Sequence, residues 1–79
     1  MENIIKQLTK LKGIEYKTQE KLFEAIENVL QDIQLKDYST NYNFITLEIN
    51  NYNKVNIIFD RGNYKIIKLE VTILKEIIF

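Results

Sequence analysis

The chain changes period near Ser39. Before it, apolar residues recur at helical spacing; after it, they alternate with polar ones, as strands with one buried face do. In residues 3–12, Ile4, Ile5, Leu8 and Leu11 fall on one side and Lys6, Gln7 and Lys10 on the other. Asn3 is placed to cap this helix and Gly13 to stop it. A second, stronger stripe runs through Leu22, Phe23, Ile26, Val29, Leu30 and Ile33 and predicts a helix to about Lys36. Thr18 stands at its N-cap, and Glu20 in its first turn opposes the positive end of the helix dipole. Ile14 and Tyr16, between the helices, are expected to form a brief edge strand or to seal the helix pair.

Three strands follow. Ile45, Leu47 and Ile49 alternate with Phe44, Thr46 and Glu48. Val55, Ile57 and Phe59 alternate with Asn56, Ile58 and Asp60. Ile67, Leu69, Val71 and Ile73 alternate with Ile66, Lys68, Glu70 and Thr72. Asp60-Arg61-Gly62 and Asn51-Tyr52-Asn53 read as three-residue hairpin loops. Those loops place Ile49 opposite Val55, Leu47 opposite Ile57, Phe59 opposite Asn63 and Val55 opposite Ile67. All the odd-numbered apolar residues then share one face. The expected architecture is α+β in a single domain over residues 1–79: two N-terminal helices packed on one face of a three-stranded antiparallel β-meander (α-α-β-β-β). On this register strand 3 outruns its partner. The apolar tail 70–79 is expected to pair with segment 14–16, to bend into a short helix, or to pair across a homodimer through Val71, Ile73, Ile77 and Phe79.

The even-numbered face is the second feature that does not fit a simple monomer. Phe44, Ile58, Tyr64 and Ile66 fall together there, with Tyr42 beside them, and no helix remains to cover them. A contiguous apolar patch marks an interface more often than a lone exposed residue does. These five residues are the expected partner-binding set.

Composition narrows the chemistry. There is no His, Cys, Pro or Trp, and only one Ser. No disulfide framework, zinc finger, thiolate nucleophile or imidazole base can be built, and no cofactor is expected. Ser39 has no His to activate it. The carboxylates Asp32 and Asp37 lack the spacing of a calcium loop, Glu24 and Glu27 read as solvated helix positions, and Gly13 and Gly62 are too isolated to cradle a phosphate. The chain is therefore not expected to be an enzyme.

Hydrophobic residues make up 46% of the chain, enough for a packed core. Lys and Arg sum to 11, as do Asp and Glu, and neither half is strongly charged. Met1-Glu2-Asn3 puts an acid where a secretion signal needs bases, and apolar runs are too short to span a membrane, so a cytoplasmic protein is expected. Heavy use of Lys, Ile and Asn with one Arg fits an AT-rich bacterial genome, or a phage or mobile element of one. The function expected from all this is a small protein-binding module: an inhibitor, immunity or accessory protein that also self-associates. The alternative is a single-stranded nucleic-acid binder, stacking bases on Phe44 and Tyr64 with Lys54, Lys68 and Arg61 nearby. A third stripe, Glu20, Glu24 and Glu27, reads as a solvated face of the second helix.

Overall fold

A computed structural model describes residues 2–31, 35, 37–49 and 53–73. Two helices, α1 (Glu2–Leu11) and α2 (Gln19–Leu30), precede four strands: β1 (Asp37–Thr40), β2 (Phe44–Glu48), β3 (Asn53–Asp60) and β4 (Lys65–Ile73). The strands form one antiparallel sheet in the order β1-β2-β3-β4. The class is α+β, as expected, but the sheet has four strands rather than three.

Helix α1 begins at Glu2, so Asn3 lies within it and does not cap it; the buried stripes of both helices are those their sequences give. Ile4 and Leu8 of α1 and Leu22 and Ile26 of α2 are buried against Ile45, Leu47, Val55, Ile57, Phe59 and Ile66 of the sheet. Each such side chain contributes about 1.5–3 kcal/mol by leaving water. Thr18, in extended backbone, accepts a hydrogen bond at its side-chain oxygen from the Lys21 N–H at 3.2 Å. That bond satisfies one of the orphan donors of the first turn. Gly13 has φ +87, the left-handed conformation glycine adopts most cheaply, so it ends α1 as expected.

Helix α2 ends at Leu30, short of the expected Lys36. Residues 37–40 pair with β2 instead, Asp37 opposite Glu48 and Thr40 opposite Ile45. All four are exposed, so β1 carries no apolar alternation and reads as a polar turn in sequence. Its pairing with β2 satisfies the backbone groups that a longer helix would otherwise have used.

The register also differs from expectation, in a way that moves side chains. Leu47 lies opposite Val55 and Ile45 opposite Ile57, two residues from the expected pairing. An even shift keeps every residue on its face. Between β3 and β4 the change is larger: Val55 lies opposite Val71 and Ile57 opposite Leu69. The third strand expected from the sequence is thus not left without a partner, because residues 70–73 pair with residues 53–56. The loop spans Arg61 to Tyr64, four residues rather than three, with Tyr64 at φ 52. A bulge then interrupts the ladder, so that Ile58 faces Lys68 while Phe59 faces Ile66. Ile67 is the extra residue. The bulge turns Ile66 into the core, where it is fully buried, and leaves Ile67 half exposed.

The connection between the helices runs along the start of β4. The N–H groups of Gly13, Tyr16 and Lys17 donate to the carbonyls of Ile66, Tyr64 and Asn63 at 3.1, 3.3 and 2.9 Å. Segment 13–17 is therefore a strap over the outer edge of the hairpin, close to the edge strand expected around Ile14 and Tyr16.

Candidate functional site

One face of the sheet is covered by α1 and α2. The other carries three cross-strand rows. Phe44, Ile58 and Lys68 lie opposite one another; so do Thr46, Asn56 and Glu70, and then Glu48, Lys54 and Thr72. Phe44 and Ile58 are half-buried, each shielded by its neighbours. In the middle row the Thr46 hydroxyl donates to Asn56 Oδ1 at 2.8 Å, which fixes both polar side chains. Lys68 Nζ lies 3.1 Å from Glu70 Oε2 along the same strand. Both side chains are solvated, and such a pair contributes little to folding.

The apolar row leads to the end of the sheet where two hairpin tips meet. The β1–β2 tip carries Tyr42, which is 74% exposed, the largest exposure among the large hydrophobic residues described. The β3–β4 tip carries Arg61, whose guanidinium carbon sits 4.1 Å from the centre of the Tyr42 ring. A cation over a ring face at that distance contributes about 0.5–1 kcal/mol where water has access. Hydrogen bonding to the Tyr64 side chain, aided by Tyr42, pushes the Arg61 pKa further up, so it is charged at every working pH. The Asp60 carboxylate accepts from the Gly62 N–H at 2.9 Å and holds the turn. A shallow depression of about 380 Å³ lies here, lined by Tyr42, Asn43, Phe59, Asp60, Arg61 and Ile67.

The five residues expected to bind a partner are thus not all together. Phe44 and Ile58 share the open face, and Tyr42 stands in the hairpin tip that leads into β2, under Arg61. Ile66 is not on that face: it is a fully buried core residue, because the bulge reverses its direction. Tyr64 is half-buried at the tip: its ring stacks on Phe59 with centroids 6.1 Å apart, Phe23 meets Phe59 edge-on at 6.2 Å, and its side chain hydrogen-bonds Arg61 beside Tyr42. Ile67 and Arg61 line the depression beside Tyr42. The signal for Ile67 is visible in sequence as the doublet Ile66-Ile67, which breaks strict alternation where a bulge resets it. Of the self-association set, Val71 is exposed on β4 and the Ile73 backbone pairs with Asn53. Ile77 and Phe79 lie outside the described residues.

Other candidate chemistry stays dispersed. Ser39 is exposed on β1, at the edge of the sheet. Among the described residues there is no cluster of three or more carboxylates able to hold a metal ion. Nor is any helix there long and apolar enough to cross a membrane. Glu20, Glu24 and Glu27 are exposed on α2, and Glu27 approaches β1. The Tyr38 phenol is pushed up by burial first and by the Glu27 charge second, and the Tyr16 phenol by burial. Lys6 and Lys10 are exposed on α1, in the helical layer, so the sheet separates them from the aromatic face.

Comparison with known protein families, curated proteins and solved structures finds no match to this chain.

Proposed function

We propose that the chain is a small non-enzymatic protein-binding module, of the inhibitor, immunity or accessory kind, that docks a partner protein on the open face of its sheet. The observation that carries this reading is the half-buried Phe44–Ile58 row on the open face, which ends at the hairpin tips where Arg61 stacks on Tyr42 in a depression that Phe59 and Ile67 also line. The helices occupy the opposite face, and no other described element lies over this one. Aromatic and Arg side chains provide most interface hot spots. The charges around the patch are mixed: Lys54, Lys65, Lys68 and Arg61 against Glu48, Asp60 and Glu70. Mixed charge suits a protein surface and gives a weak footprint for a phosphate backbone.

The test compares wild type with Tyr42→Ala and Ile58→Lys as bait in the source cell, with Ile14→Ala, in the strap of segment 13–17, as a control. A partner retained by wild type and Ile14→Ala but lost from the other two supports the reading. Equal retention by all four overturns it. In a parallel titration with labelled single-stranded oligonucleotide, binding that weakens steeply with salt and depends on Tyr42 would establish the nucleic-acid alternative in its place.

A further inference from the structure

The outer edge of β4 is divided in two. Its first part is closed by the strap: carbonyls 63, 64 and 66 accept from segment 13–17. Beyond Ile66, none of the hydrogen bonds described between separate elements reaches this edge. Which backbone groups point outward follows from the ladder. The Phe59 N–H donates to the Asn43 carbonyl and the Ile49 N–H to the Asn53 carbonyl, so odd-numbered residues of β3 bond toward β2. Even-numbered residues of β3 then bond toward β4, because the two sides alternate along an antiparallel strand. Their partners Lys68, Glu70 and Thr72 use their backbone groups inward. Leu69 and Val71 present theirs to the open edge. Ile67 and Val71 are 50% and 45% exposed, so among the described residues the edge is apolar as well as unpaired. An exposed edge of this kind is a template for another strand.

We propose that a second copy of the chain occupies this edge, with the two β4 strands antiparallel about a two-fold axis through Leu69. Charge selects the register. Pairing must keep residues with outward-facing backbone groups opposite one another, so the axis falls on a residue and not between two. Centred on Lys68 or Glu70, the pairing sets like charges directly opposite. Centred on Val71, it sets Glu70 opposite Thr72 and leaves Lys68 outside the described ladder. Centred on Leu69, it sets Lys68 of each copy opposite Glu70 of the other, twice. It also sets Val71 opposite Ile67. In this register Ile66 of each copy, already bound by the strap, marks where the new ladder stops. The pairing is thus a short segment, 67–71, framed by both straps. Its product is an eight-stranded sheet with two open faces side by side. A ladder this short is a small interface, and the dimer is expected in the micromolar range.

Sedimentation equilibrium tests the register directly, using wild type, Lys68→Glu, Glu70→Lys, their equimolar mixture and the double variant. Both side chains are solvated on the open face, and far-UV circular dichroism checks that each variant folds. Wild type is expected to sediment at twice the chain mass. Each single variant sets like charges opposite at two places and is expected to dimerise about tenfold or more weakly. In the mixture, each copy of Lys68→Glu carries acids at positions 68 and 70, and each copy of Glu70→Lys carries bases at both. A pair made of one of each therefore sets opposite charges together at both places, and the mixture is expected to recover dimer, as is the double variant. A misfolded variant could not be rescued by mixing, so the mixture separates lost folding from lost pairing. The proposal is overturned by a wild-type monomer at about 100 µM. It is equally overturned by a dimer whose strength is unchanged in both single variants, or by a mixture no stronger than its components.

Discussion

The bulge in β4 makes two adjacent isoleucines unequal, and replacing each with alanine measures how unequal. Ile66 has no exposed surface and packs in the cluster formed by both helices and the sheet. Its truncation removes buried carbons and leaves a cavity, a loss of about 3 kcal/mol within the range for buried Ile→Ala. Ile67 keeps half its surface in water. The same three carbons, worth roughly 0.8 kcal/mol each when fully buried, then contribute only about 1 kcal/mol. The predicted gap is about 2 kcal/mol, or roughly 10 °C in melting temperature for a domain of this size. Urea unfolding followed by circular dichroism reads it, with every variant at one low protein concentration so that self-association does not enter. A strictly alternating strand without a bulge would reverse the order, since Ile67 would then share the odd core face. Equal losses, or a larger loss at Ile67, would refute the placement of both residues and with it the open face described above.

Three further outcomes follow from local structure. Thr18→Ala should lower stability by about 1 kcal/mol through loss of the cap on α2, and Thr18→Ser should restore most of it; equal urea midpoints for wild type and Thr18→Ala would remove the cap from the account. Gly13→Ala meets no atom within 4 Å, so its whole cost is the left-handed backbone, about 1 kcal/mol in the same assay, and an unchanged midpoint would contradict the φ of +87. Tyr16 and Tyr38 have phenols raised above the ordinary value of 10.0, so folding favours their neutral forms. The stability they confer is complete below about pH 10 and is lost as pH rises through their folded values. Melting temperature measured from pH 8 to 11 should therefore fall less steeply for Tyr16→Phe/Tyr38→Phe than for wild type, and parallel curves would show that neither phenol is responsible.

What the sequence disclosed, and what it concealed, follows from how each signal is written in the chain. Helical stripes are long and redundant: Ile4, Leu8, Leu22 and Ile26 identify the buried sides of both helices, and all four are in the core. Thr18 and Gly13 carry local chemistry that only one backbone conformation satisfies well. Strand faces are nearly as legible, since alternation survives any even error in register, and Ile45, Leu47, Val55, Ile57 and Phe59 all lie where alternation places them. Loop length is different. Asp60-Arg61-Gly62 supports a three-residue loop, yet the chain turns over four residues and places Tyr64, not Gly62, in the left-handed conformation. The strap helps to explain why: Lys17 and Tyr16 bond to the carbonyls of Asn63 and Tyr64, and Tyr64 gains the Phe59 ring, contacts that no local pattern contains. Strand β1 was hidden for the opposite reason. All four of its residues are exposed, so its pairing with β2 leaves no apolar trace in the sequence.

The strap and the bulge act on one strand and together decide which parts of its edge and faces stay open. A long apolar edge invites uncontrolled pairing, and proteins blunt such edges with a covering segment, a bulge or a well-placed charge. Here segment 13–17 covers residues 63–66, the bulge begins where that cover stops, and Lys68 and Glu70 follow on the open face. The charges do not close the edge, because their side chains stand off the sheet while the backbone groups of Leu69 and Val71 point along it. In the proposed pairing they act instead as a filter on register, since moving the two-fold axis by one residue in either direction from Leu69 would bring like charges together. The bulge has the complementary effect on the face. By sending Ile66 inward it completes the core under both helices, and it leaves Ile67 half exposed in the depression beside Tyr42 and Arg61. A single inserted residue thus separates a side chain that holds the core together, Ile66, from one that stays half in water, Ile67.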